Sequence, residues 1–315
     1  MSKKVVVVGS GPMAEEYIKV IKALGQEAVI VGRNKDKALL LSNKYSCGGF
    51  GGGIEANTGL LDKDVELVII ACGVESLSDA ACCLLKAGAK NILIEKPGAL
   101  DLKGLLAIKS HMTNDVCLKV AYNRRFYSSV TALRNKIEKD GGALGCMFDF
   151  TDREKDILGA ERLPEVVKRW GFANSTHVID TAFYLIGMPE SLNAERAEPI
   201  PQHPRGTSFA GSGRTNACIF SYFATWQGGG RWNVEISTTK GRYRLCPLEE
   251  LWFCAKNQFG WEKIELKDDD DIKFKPGLFN MVRSALEDKT NTMLPSIDEQ
   301  ITFCKVIDRM FGYED

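Results

Sequence analysis

The sequence predicts an α/β protein. An N-terminal Rossmann domain, a doubly wound parallel sheet, should be followed by a C-terminal α+β domain with an open, mainly antiparallel sheet. Three observations predict this. Residues 1–122 alternate continuous apolar strands with helix-period segments, the pattern of a parallel sheet covered on both faces. A glycine turn, Gly9-Ser10-Gly11-Pro12-Met13-Ala14, stands between the first strand and the first helix. After Asn123 the chain turns to aromatic and β-branched strands punctuated by glycine. A length of 315 residues suits two domains, expected at 1–122 (dinucleotide binding) and 123–315 (substrate binding and oligomerisation).

The elements follow in order. Residues 4–8 are a short apolar strand, and residues 12–24 a helix with Met13, Tyr17, Ile18, Ile21 and Leu24 on one face and Gly25 as its stop. A strand at 28–31 and a helix at 35–45 come next, then a loop at 48–53, where five of six residues are glycine. Strands at 65–72, 91–95 and 116–122 are separated by helices at 76–87 and 102–112, the latter with Asp101 as N-cap. In the second half, a helix at 130–139 ends at Asp140-Gly141-Gly142, and a helix at 175–186 ends at Gly187 and Pro189. Strands are expected at 146–151, 215–226, 231–238, 242–246, 251–255 and 261–266, with hairpin turns at Gly228-Gly229-Gly230 and Lys240-Gly241. The four aspartates at 268–271 read as a solvated turn, and 297–311 as a closing helix.

Composition excludes several classes. Basic and acidic residues number 41 each, so the chain as a whole offers no strong field to nucleic acid or an anionic membrane. The best apolar run, 65–74, is broken by Glu66 and is too short to span a bilayer. Lys3-Lys4 and the valines after them imitate a signal peptide, but Gly9, Glu15 and Glu16 end that reading. Ten scattered cysteines without a CxxC, and only His111, His177 and His203, argue against a metal site or a disulfide framework. Small thiols in a reducing cytoplasm are expected instead.

The residues that carry chemistry lie at strand ends. In Gly9–Ala14 the glycines allow a tight turn and close approach of a pyrophosphate, and the helix start offers free N–H groups. The second strand ends on Gly32, Arg33 and Asn34, with Lys35 and Lys37 near and no carboxylate among them, which suits the 2′-phosphate of NADP better than the ribose of NAD. Cys72-Gly73, Glu95-Lys96-Pro97 and Tyr122-Asn123-Arg124 end the later strands, and Cys72, Gly73, Glu95, Lys96, Asn123 and Arg124 are expected to contact the cofactor along with Gly9–Met13 and Gly32–Asn34. Lys96 is the titratable amine near the middle of that row and suits proton exchange with a substrate hydroxyl. His177 and Asp180, three apart, share a helix face, so the carboxylate is expected to orient the ring.

These motifs together resemble the Gfo/Idh/MocA family of NAD(P)-dependent oxidoreductases. The likeness runs through Gly9–Ala14, Ala87-Gly88 into Glu95-Lys96-Pro97, then Tyr122-Asn123-Arg124-Arg125-Phe126 and His177-Val178-Ile179-Asp180, in order along nearly the whole chain. The resemblance implies Lys96 and His177 as the proton-handling pair, and an open sheet through which a homo-dimer or homo-tetramer forms. Two features depart from it: Ala173, with Asn174 beside it, where many sugar dehydrogenases of the family have an aspartate, and Cys72-Gly73-Val74 in place of a frequent proline and histidine.

The expected function is hydride transfer between NADP (or NAD) and a hydroxyl or carbonyl carbon of a sugar or sugar derivative. Lys96, His177 and Asp180 are the expected catalytic set; Tyr122, Arg162, Arg169 and Asn174 are expected at the substrate. The arginines admit an acidic or nucleotide-linked sugar. The rival, suggested by Ala173, is a catalytically degenerate dinucleotide-sensing regulator of the same fold.

Overall fold

The structure is a computed structural model that describes residues 3–61, 64–158 and 162–313. Two compact units emerge: Met1–Asn123 with Asp270–Thr302, and Arg124–Asp269 with Phe303–Asp315. The sequence pattern marks one change of character near residue 122, whereas the chain contributes 270–302 to the first unit. Helix α10 described below explains the return, since its apolar face lies on the first helix.

The first unit contains β1 (Lys4–Val8), α1 (Pro12–Ala23), β2 (Glu27–Val31), α2 (Lys35–Tyr45), β3 (Gly48–Phe50), β4 (Val65–Ile70), α3 (Leu77–Lys86), β5 (Asn91–Glu95), α4 (Leu102–Ser110) and β6 (Cys117–Ala121). The strands form one parallel sheet in the order β3-β2-β1-β4-β5-β6. Burial explains their composition: Val5, Val6, Val7, Ile69, Ile70, Leu93 and Ile94 are inaccessible to solvent on both faces of the sheet. The strand order reverses between β1 and β4, so the glycine turn after β1 lies at the switch point where such sheets bind ligands. Asp101 caps α4 as expected, accepting from the Gly104 N–H at 2.8 Å.

The glycine run expected as a loop contributes β3 instead. Its glycines let the edge strand approach α2: a Cβ on Gly49 would lie 2.4 Å from Ser42 Cβ, and one on Gly51 2.5 Å from Lys35 Cβ. The missing side chains serve close packing here, which composition alone reads as flexibility.

The second unit contains α5 (Ser128–Lys139), β7 (Gly145–Asp149), α6 (Glu154–Leu158), α7 (Pro164–Lys168), a π-helical turn (Gly171–Ser175), α8 (Thr176–Ile186), β8 (Pro189–Ala197), β9 (Ser208–Thr215), β10 (Ile219–Thr225), β11 (Asn233–Ser237), β12 (Gly241–Leu245), β13 (Leu251–Ala255) and β14 (Glu262–Ile264). The order is β14-β13-β12-β11-β7-β10-β9-β8, antiparallel except for the parallel pair β7–β10. Lys240-Gly241 makes the expected hairpin between β11 and β12. Gly228–Gly230 does not: β10 and β11 flank β7 on opposite sides, so these glycines belong to a crossover.

Residues 215–226 divide into the end of β9 and the whole of β10. The Thr215 hydroxyl accepts from the Ala217 and Cys218 N–H groups and folds a turn there. Strand β9 escaped prediction because it is rich in glycine and serine. Cβ atoms on Gly211 and Gly213 would lie 2.4 and 2.7 Å from the rings of Tyr222 and Phe220 on β10, so small residues on one strand make room for aromatics on the next. After β14 come α9 (Asp269–Lys273), α10 (Leu278–Glu287) and α11 (Ile297–Phe311), and α10 packs on α1 and β4. The aspartate run is therefore a helix start, and Asp271 accepts from the Gly277 N–H at 2.7 Å.

Candidate active site

In the first unit the strand ends form the expected row. Gly9 has φ +141°, and a Cβ there would lie 2.3 Å from the Ala71 carbonyl oxygen, so only glycine fits. A Cβ on Gly11 would meet nothing within 4 Å, so space is open above that residue. Gly11 is the N-cap of α1 and supplies no side-chain acceptor, and Pro12 occupies the first turn. Ser10 packs beneath the end of β2, its hydroxyl 2.7 Å from where a Gly32 Cβ would stand. Asn34, expected at the cofactor, caps α2 by accepting from the Lys37 N–H.

The corner at the end of β2 is not free of carboxylate. Glu75, from the segment after β4, lies 3.9 Å from the Arg33 guanidinium and folds over Gly73. Distance along the sequence hid it, because 42 positions separate the two residues. Burial pushes the neighbouring Cys72 thiol up to about 11, so it is a protonated, unreactive contact at neutral pH.

Glu95 ends β5 and Lys96 follows it, and the Lys96–Pro97 peptide is cis. The part-buried Glu95 carboxylate accepts from the Tyr17 hydroxyl of α1 at 2.7 Å. Desolvation raises its pKa, against the pull of the Tyr17 hydrogen bond and of Lys96. Tyr122, expected at the substrate, is fully buried, and its hydroxyl accepts from Gln300 at 3.1 Å inside the first unit. Core packing therefore claims it. Asn123 is also buried and donates to the Pro276 carbonyl at 2.9 Å.

In the second unit, His177 is half-buried near the start of α8. Its Nδ1 faces the Arg124 guanidinium, which has only donors to offer. Arg124, expected at the cofactor, is thus the residue that sets the histidine tautomer, leaving the ring proton on Nε2. Asp180 does not take that orienting role. Its carboxylate, 3% exposed, is gripped by Arg125 through Nε (2.9 Å) and a terminal nitrogen (2.5 Å). Removing one partner of such a buried pair costs about 3–5 kcal/mol.

Asp152 was not foreseen. It follows β7 and collects four side-chain donors: Trp170 Nε1 at 3.0 Å, Trp232 Nε1 at 3.2 Å, Ser175 Oγ at 3.2 Å and Asn174 Nδ2 at 3.1 Å. Burial holds its carboxyl above the usual range, against the pull of those donors. Trp232 in turn stands beside the His177 ring, centroids 5.8 Å apart, with Arg124 4.9 Å over its face. Asp152 thus ties the turn that holds Ala173 and Asn174 to the aromatic wall beside His177. An acid directly after a strand was the available signal.

The remaining expected substrate residues separate. Arg162 is exposed and stacks on Trp170 at 4.5 Å. Arg169 pairs with Asp308 at 2.7 Å and lies 4.4 Å over the Tyr313 ring, which commits it to holding the C-terminal segment.

No protein-family model matches the chain. A levoglucosan dehydrogenase of Pseudarthrobacter phenanthrenivorans is 29% identical over 155 residues; the match spans 45% of this chain and 38% of the relative, well under half of its length. A levoglucosan dehydrogenase solved with NADH and levoglucosan superposes with a TM-score of 0.78 at 18% identity, over 99% of this chain and 97% of the other. A UDP-N-acetylglucosamine 3-dehydrogenase from Acidithiobacillus ferrooxidans superposes with a TM-score of 0.77 at 14% identity, over 99% and 97%. Parallel sheet, eight-stranded sheet and these likenesses agree: the chain has the fold of the Gfo/Idh/MocA-type oxidoreductases.

Proposed function

We propose that the protein is an NAD(P)-dependent oxidoreductase acting on the CH–OH group of a sugar or sugar derivative. The observation that carries this reading is the turn after β1. Gly9 has no room for a side chain, the space above Gly11 is open, and the start of α1 has no side-chain acceptor. That arrangement fits a dinucleotide pyrophosphate. The bound dinucleotide would supply the nicotinamide carbon that gives or takes the hydride.

The protein's own residues handle the proton. Lys96 gives the substrate hydroxyl its proton or takes it. His177 is the second proton-handling residue and has Nε2–H to offer a substrate oxygen, because Arg124 occupies Nδ1. Arg125 and Asp180 fix the chain segment and helix that carry this pair. The sugar dehydrogenases of the same fold support the substrate class, and the exposed Arg162 suits an acidic or nucleotide-linked sugar. NADP is the preferred cofactor through Arg33, with Glu75 narrowing the margin. A homo-dimer or homo-tetramer would use the open face of the second sheet, where Met147, Ile219 and Phe223 stand exposed. Among the described residues no disulfide is formed, which fits a reducing cytoplasm, and no helix is long and apolar enough to cross a membrane.

The test is a panel of polyols, sugars and sugar acids with NADP and NAD, followed at the nicotinamide absorbance. Lys96→Met should abolish turnover while cofactor affinity stays within about threefold, since backbone near Gly9 holds the pyrophosphate. Unchanged turnover would remove Lys96 from the mechanism. Tight dinucleotide binding with no turnover on any member would favour the sensing regulator.

A further inference from the structure

The segment that returns to the first unit carries a lysine to the glycine turn. Between α9 and α10, residues 274–277 are pinned at two points: the Pro276 carbonyl accepts from Asn123 at the end of β6, and the Gly277 N–H donates to Asp271. Gly277 has φ +73° and caps α10, so the turn is fixed by its own backbone as well. Lys275 extends from it until Nζ lies 3.2 Å from the Met13 sulfur, in the first turn of α1. A thioether is a weak acceptor for an ammonium group.

Two positive groups meet at this turn: the Lys275 ammonium and the start of α1. The start of α1 is the positive end of the helix dipole, and Gly11 leaves it uncapped. Lys275 and Lys96 both act on one carboxylate, Glu95, which Tyr17 already shares. A second cation beside a positive helix end is unfavourable unless an anion lies between them. Lys275 is also exposed, so the fold gains little from holding it there.

We infer that Lys275 is a cofactor-binding residue that reaches across the glycine turn and neutralises the dinucleotide pyrophosphate. The inference rests on the dinucleotide reading above and adds to it a cation from a part of the chain 262 positions beyond Met13 of the glycine motif.

Lys275→Ala and Lys275→Arg are compared with the unaltered chain by calorimetric titration with NADPH, NADH and ADP-ribose. Lys275→Ala should bind all three about 10- to 100-fold more weakly, with a shallower salt dependence, and Lys275→Arg should restore most of the affinity. Affinities within about twofold of the unaltered chain, the size of an idle surface charge, would overturn the inference. A loss confined to NADPH and NADH would overturn it too, because ADP-ribose carries the pyrophosphate without the nicotinamide. An unaltered chain that binds none of the three would instead defeat the dinucleotide reading, and this inference with it.

Discussion

Tyr17→Phe isolates one hydrogen bond beneath the strand end that carries Lys96. Tyr17 is fully buried on α1, and its hydroxyl donates to the Glu95 carboxylate at 2.7 Å. Phenylalanine keeps the ring, so no cavity opens and the loss is that of the donor alone. A hydrogen bond to a charged group is worth about 1.5–3 kcal/mol. For a domain of this size that corresponds to a fall of about 3–12 °C in thermal midpoint. The loss should depend on pH. Burial holds the Glu95 pKa above its value of 4.5 in the open chain, so the folded state binds the proton more tightly and stability falls as pH rises through that interval. Without Tyr17 the folded pKa rises further and the interval widens. The variant should therefore lose more relative to the parent at pH 7.5 than at pH 5, because acidification protonates the carboxyl and weakens what the hydroxyl contributes. Thermal melts of both proteins at the two pH values measure this. A deficit that is equal at both, or that grows on acidification, would refute the assignment of Tyr17 as the donor to an ionised Glu95.

Other outcomes follow from the same geometry. Glu75→Gln should shift the affinity ratio toward NADP by about fivefold, roughly the 1 kcal/mol that one partly exposed charge exerts at close range; Arg33→Asp should shift it the other way, and dinucleotide titrations read both. Asp152→Ala leaves the N–H groups of Trp170, Trp232 and Asn174 without their acceptor and should cost about 2–4 kcal/mol of stability in chemical denaturation. A cost below about 1 kcal/mol would mean that water replaces the carboxylate with ease.

The alternation of apolar strands and helices in the first 122 residues sufficed to locate nine of the elements there to within a residue or two at each end. Parallel strands buried on both faces must be apolar throughout, and that is a local signal. Helix α2, strands β1, β5 and β13, and helix α11 begin and end where the periodicity says. The glycine turn was legible too, since a tight turn between strand and helix leaves few other residues possible. In the second unit the signal fades. Strand β9 trades its own side chains for those of β10, and β10 and β11 lie on either side of β7, a topology that adjacency in sequence cannot express.

For the candidate site, the sequence determined which residue types stand at the strand ends and that His177 lies on a helix. Which partner each side chain takes was decided only by the tertiary structure. His177 faces Arg124, Asp180 goes to Arg125, and Arg33 meets Glu75. Lys275 comes back to the turn at Met13, and Asp152 gathers donors up to 80 positions away. Hydrogen bonds and ion pairs act over a few ångströms, so they are fixed by where the backbone brings side chains together. Hydrophobic periodicity fixes the elements but is blind to those encounters.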